Sequence, residues 1–174
     1  MSDSRLLEVT ESIPAPPEKV FALLTDPNRH TEIDGAHMLR GLASGRGPVT
    51  GIGDVFVMNM SQEGIGDYQM RSEVVDFEPN RRIIWAPALH PPNALRDKVG
   101  DVDLSGYVWS WELEPTASGG TRLTHTYDWS GVFDARALPL FPRVSEEQMI
   151  ASIALIAEAC ADSVPPNGDR GGQR

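Results

Sequence analysis

Two stretches in the C-terminal half alternate bulky aromatics with smaller or polar residues at a period of two. The first runs Tyr107-Val108-Trp109-Ser110-Trp111-Glu112-Leu113 and the second Leu123-Thr124-His125-Thr126-Tyr127-Asp128-Trp129. Successive side chains of a strand point to opposite faces. Tyr107, Trp109, Trp111 and Leu113 therefore share one face, and Leu123, His125, Tyr127 and Trp129 share a face of the next strand. Three of the four tryptophans fall on these two faces. That is more polar-tipped aromatic surface than a sheet needs to pack a helix. It suits the wall of a pocket for an apolar or aromatic small molecule.

The rest of the chain supplies more strands and one long helix. Leu6 to Ile13 reads as a first strand, broken by Pro14-Ala15-Pro16-Pro17, with Pro17 placed to enter the first turn of a helix. Val20, Phe21 and Leu24 form its apolar stripe. Asp26 then caps a second short helix that starts at Pro27, runs to about Ile33 and stops at Asp34-Gly35. Gly41 to Gly53 reads as loop or edge strand. Val55 to Met60 and Tyr68 to Phe77 read as strands, and Arg81 to Ala86 pairs back across a Glu78-Pro79-Asn80 turn. Phe56, Met58 and Met60 share one face. Pro87 to Ser105 reads as a mobile excursion. Ser145 and Gln148 make a capping box for a helix to Val164. Its stripe is Met149, Ile150, Ile153, Ile156, Ala157, Cys160 and Val164. Residues 165–174 read as a disordered tail.

This order describes an α+β chain in which a curved antiparallel sheet can wrap one long helix and leave a cavity. Three segments carry a resemblance: Ile13-Pro14-Ala15-Pro16-Pro17-Glu18-Lys19-Val20-Phe21, the Thr25-Asp26-Pro27 break, and Val75-Asp76-Phe77-Glu78-Pro79-Asn80-Arg81-Arg82-Ile83-Ile84-Trp85. With them the chain resembles the START-like (SRPBCC) superfamily of the helix-grip fold, most closely its polyketide cyclase/dehydrase-like group. The resemblance runs from Leu6 to Val164 and implies a single domain over residues 1–174. It speaks for the fold more than for function, because this superfamily places binding, transport and catalysis on one scaffold.

Three functional readings follow. In the first, the cavity binds a hydrophobic or aromatic small molecule, walled by Phe56, Met58, Met60, Trp85, Tyr107, Trp109, Trp111, His125, Tyr127 and Trp129. In the second, a cyclase or aromatase folds a reactive chain there, and His125, Tyr127 or Asp34 moves protons during aldol closure and dehydration. In the third, the chain is an Aha1-like module that docks a partner. His125 suits proton transfer at neutral pH, and equally suits a buried strand position satisfied by one hydrogen bond. His30 and Asp34, four apart, share a face if the short helix persists that far, and a carboxylate beside an imidazole could orient a base; the alternative is that Asp34-Gly35 simply makes the exit turn and His30 is solvated. His37 and His90 fall in segments read as exposed.

Composition narrows the field. A net charge of -10 argues against nucleic acid and anionic membrane surfaces as partners. One cysteine excludes an intrachain disulfide. Scattered histidines and a lone Cys160 give no metal-ligand spacing, and no phosphate loop or nucleophile elbow occurs. We expect no cofactor, no membrane insertion, a cytoplasmic location, and a monomer or homodimer.

Overall fold

A computed structural model describes residues 4–162. The elements are β1 (Leu6–Ile13), α1 (Pro17–Leu24), a 3₁₀ helix (Pro27–Ile33), β2 (Leu39–Ser44), β3 (Val55–Gln62), β4 (Gly66–Glu78), β5 (Arg82–His90), α2 (Arg96–Val99), β6 (Val108–Pro115), β7 (Thr121–Asp128), a 3₁₀ turn (Leu138–Leu140) and α3 (Glu146–Asp162). The seven strands form one antiparallel sheet in the order β1-β7-β6-β5-β4-β3-β2. The first strand thus pairs with the last, Val9 opposite His125. Because β1 and β2 are opposite edges, α1 and the 3₁₀ helix carry the chain from one edge to the other. This is the helix-grip architecture, α+β, with α3 on the concave side of the sheet.

Local chemistry sets the boundaries. Pro17 opens α1, where its missing N–H leaves no helical bond unmade. The Asp26 carboxylate accepts from the Asn28 N–H at 3.1 Å and caps the 3₁₀ helix. Asn80 turns the β4–β5 hairpin at φ 61°, a conformation Asn tolerates better than most residues. A bulge between Val74 and Asp76 bends β4 where the sheet must curl. The capping box of α3 forms in both directions. The Gln148 side chain accepts from the Ser145 N–H at 3.0 Å, and the Ser145 hydroxyl accepts from the Gln148 N–H at 3.2 Å.

Helix α3 packs on β1, α1 and the 3₁₀ helix. It buries Met149, Ile153, Ile156 and Cys160, each large aliphatic contributing on the order of 1.5–3 kcal/mol. Ile150 is 42% exposed, contrary to its place in the expected stripe. It lies one residue, about 100° of helix rotation, beyond Met149, which takes it off the buried face. Val164 and the expected tail lie outside the described residues. Among the described residues no helix is long and apolar enough to cross a membrane.

The segment from Pro87 differs from the expectation of a loop. β5 runs on to His90, and α2 with Leu95 buried follows it. The reason lies in pairing. β5 meets β6 only from Arg82↔Glu112 to Trp85↔Trp109, so beyond Trp85 one of its edges has no ladder partner. A proline is tolerated there.

Gly35 fixes the 3₁₀–β2 connection onto α3. Its N–H donates to Ser152 Oγ at 2.9 Å, and a Cβ at this position would collide with the Gln148 carbonyl oxygen and the Ser152 nitrogen. Both obstacles are helix backbone, which cannot step aside. We predict that Gly35→Ala lowers stability by roughly 2–3 kcal/mol, measured by urea unfolding. A loss under half a kcal/mol would show that this connection is not seated on α3 as described.

Candidate functional site

Between α3 and the middle of the sheet lies a cavity of about 210 Å³. One wall is aliphatic and thioether. Met58 faces Met70 and Met60 faces Tyr68 across β3 and β4, with Met38 and Met149 closing the same side. Five of the six methionines in the chain, Met38, Met58, Met60, Met70 and Met149, belong to this lining. The other wall is aromatic. Trp85 pairs with Trp109, Trp109 with Tyr127, and Trp111 with His125 across β5, β6 and β7. Period-two alternation places these residues and Tyr107 on the concave side. On the convex side Thr10 and Thr124 bond each other at 2.9 Å, and Thr126 donates to Glu8 at 3.3 Å.

Two buried imidazoles sit in this aromatic wall. His125, 6% exposed, lies face to face with Trp111 at a ring distance of 3.5 Å and with Trp109 at 5.2 Å. Its Nδ1 is 3.0 Å from the Ser110 carbonyl oxygen. A carbonyl only accepts, so Nδ1 carries the proton and Nε2 the lone pair. Burial pulls its pKa from 6.5 down to about 3, partly offset by the Ser110 bond. His30, 5% exposed, stacks on Trp85 at 5.4 Å and meets the edge of Phe56 at 5.5 Å. Its Nε2 donates to the Leu24 carbonyl at 2.8 Å, which leaves Nδ1 as acceptor. Burial lowers its pKa as well, against the Leu24 bond and the charges of Asp26 and Asp34.

His30 corrects the expectation that it is solvated. In a 3₁₀ helix residues three apart eclipse. Pro27, His30 and Ile33 therefore form the buried face. Reading the segment as α-helical paired His30 with Asp34 and hid that stripe. The usable signal was the period of three itself. Asp34 does make the exit turn. Its carboxylate accepts from the N–H groups of Ala36, Met38 and Leu39 at 3.0, 2.6 and 2.7 Å, and it reaches the cavity rim.

The tyrosines of the chain, Tyr68, Tyr107 and Tyr127, all border the cavity. Tyr127 packs against Trp109 at 4.0 Å, and its hydroxyl accepts from the Arg143 N–H at 3.4 Å. Burial pushes this phenol up to about 12. Tyr107 packs edge-on against Tyr127 and Phe141, and burial raises its phenol well above the ordinary range. Its hydroxyl has no hydrogen-bond partner among the described residues. Trp111 Nε1–H is buried without a partner among the described residues. Trp129, expected in the wall, lies outside it. The strand ends at Asp128, so the alternation stops there, and Trp129 packs beside Tyr127 while its N–H donates to the Arg5 carbonyl. Leu95, Val99 and Leu104, absent from the sequence reading, cover one side from the β5–β6 connection. Gly106 holds that connection against Gly131, where a side chain on either residue would strike the other's carbonyl oxygen.

Charged lining is confined to Asp34 and Arg143. Among the described residues no group of three or more metal-ligating side chains occurs. The lining can therefore grip an apolar body, stack flat rings and offer neutral hydrogen-bonding groups.

Comparison with known proteins agrees with this architecture. The chain belongs to the family described as polyketide cyclase / dehydrase and lipid transport, which matches residues 5–163. It is 31% identical over 126 residues to an uncharacterized Mycobacterium tuberculosis protein, Rv0088, covering 72% of this chain and 46% of that protein. The chain thus spans about half the length of the curated relatives it matches. Among solved structures, an Arthrobacter aurescens protein superposes with a TM-score of 0.66 at 14% identity, covering 99% of this chain and 95% of that one. Ms6760 from Mycobacterium smegmatis gives 0.65 at 13% identity, covering 92% and 93%. DynU16, from the dynemicin biosynthetic locus, gives 0.57 at 20%, covering 91% of this chain and 48% of that one. At these identities the solved structures share the fold.

The neutral imidazoles make stability depend on pH. His125 binds a proton near 6.5 when unfolded and only near 3 when folded, so the unfolded chain takes up more protons as pH falls below 6.5. Stability is full above that pH and is lost on acidification. Between pH 7 and pH 5 the loss from this residue is about 2 kcal/mol, and His30 adds in the same direction. We predict that urea unfolding at the two pH values shows this drop and that His125→Phe shrinks it. An equal drop in the variant would contradict the assignment.

Proposed function

We propose that this chain binds a hydrophobic or aromatic small molecule inside the sheet–helix cavity. The observation that carries the reading is the composition of that cavity. Five methionines and eight aromatic side chains, Phe56, Tyr68, Trp85, Tyr107, Trp109, Trp111, Tyr127 and Phe141, line one space. Thioethers adapt to varied apolar shapes, and indole faces give flat stacking surface. Family membership is consistent with a small hydrophobic ligand.

The cyclase-type reading draws on the same family and on the DynU16 similarity. It asks for proton transfer by His125, Tyr127 or Asp34. Asp34 spends its carboxylate on three backbone N–H groups. His125 is oriented by the Ser110 carbonyl and held far below neutrality as a base. Tyr127 holds its proton up to about 12. No two of these three share a hydrogen bond among the described residues, so the binding reading has the stronger support. An apolar cavity reaching between sheet and helix also weighs against a module whose work is docking a partner on its surface.

An apolar fluorophore should bind the folded protein with a blue-shifted emission. Trp109→Ala should weaken that binding by on the order of 2 kcal/mol, roughly thirtyfold, with circular dichroism confirming the fold. Folded wild-type protein that binds no such probe would remove the cavity reading.

A further inference from the structure

Within the cavity the neutral hydrogen-bonding groups are unevenly used, and the Trp111 Nε1–H has no partner among the described residues. Ser72, on β4 and 5% exposed, lines the cavity, and its hydroxyl has no hydrogen-bond partner among the described residues. The Tyr107 hydroxyl likewise has none. Each imidazole commits one nitrogen to a backbone carbonyl and keeps the other as a lone pair. A polar group left unpaired in an apolar site is unfavourable, so a bound molecule gains by meeting one. The charged lining is the opposite case. Asp34 is saturated by backbone N–H groups, and Arg143 is exposed at the rim. The interior therefore offers no cation to a carboxylate, whose burial without a partner is prohibitive.

Size limits the ligand too. An apolar cavity of about 150 Å³ accommodates benzene, and this one is about 210 Å³. The space fits one or two fused rings. Trp85 and Trp109, paired across β5 and β6, border that space.

We propose that the cavity selects an uncharged aromatic of one or two rings bearing a hydroxyl or carbonyl oxygen, and that Ser72 and Tyr107 determine this specificity. The inference rests on the binding function proposed above. Both hydroxyls can donate to and accept from a ligand oxygen, whereas a hydrocarbon leaves them unpaired and a carboxylate enters without its counter-charge.

The test is a titration at pH 7 with naphthalene, naphthol and naphthoate, followed by tryptophan quenching and calorimetry. Naphthol should bind about tenfold tighter than naphthalene, and naphthoate should be the weakest of the three. Ser72→Ala, Tyr107→Phe and the double variant should bring the naphthol-to-naphthalene ratio toward one, chiefly by weakening naphthol. Both changes only delete a hydroxyl, and a thermal melt verifies folding. Equal affinities for naphthol and naphthalene, or a ratio untouched in the double variant, would overturn the specificity while leaving the binding function standing. Naphthoate binding best, and losing that advantage in Arg143→Gln, would overturn it in favour of an acidic amphiphile held at the rim. If neither naphthalene nor naphthol binds, the binding function falls, and the specificity with it.

Discussion

The width of the aromatic wall governs this structure. Trp85, Trp109, Trp111, His125 and Tyr127 stand on adjacent strands of one concave face. A helix cannot approach rings of that height as closely as it approaches Val or Leu. α3 accordingly rests on β1, α1 and the 3₁₀ helix, where Val9, Ile13, Val20 and Leu24 give a lower surface. The space between helix and mid-sheet follows from that unequal seating. The bulge in β4 and the β1–β7 pairing hold the sheet curled around it.

Stacking also decides the electrostatics. His125 between two indoles and His30 on a third are largely withdrawn from water, and each donates to a backbone carbonyl and remains neutral. An imidazole in this state is a flat, weakly polar ring more than a charge. The same burial that lowers the histidines raises the tyrosines, because desolvation penalises whichever form is charged. The result is a cavity of titratable residues with no charge in its walls near neutral pH, except at the rim. That condition suits recognition of neutral molecules better than it suits proton transfer.

Parts of the site were legible because they depend on local periodicity. The faces of Tyr107, Trp109 and Trp111, and of His125 and Tyr127, follow from the alternation of their strands, as do those of Phe56, Met58 and Met60. The α3 stripe and its capping box are equally local. Errors arose where the period changed or ended. Trp129 sits one residue past the end of β7, and Ile150 sits off the buried face of α3. Pro87 resembled a strand terminator because single-strand reasoning has no knowledge of which edge is paired. His30 was misplaced because 3₁₀ and α spacing choose different neighbours.

The sequence alone determined the class of fold, since strand alternation, the two proline breaks and one long amphipathic helix leave few ways to bury every apolar face. It also determined that the aromatics would share a surface, because side-chain direction in a strand is a covalent consequence of the pleat. Only the tertiary structure decided what that surface encloses. The cavity volume and the unpartnered hydroxyls of Ser72 and Tyr107 depend on distances between segments remote in the chain. Those distances are set by how the elements pack around one another, which no local pattern encodes.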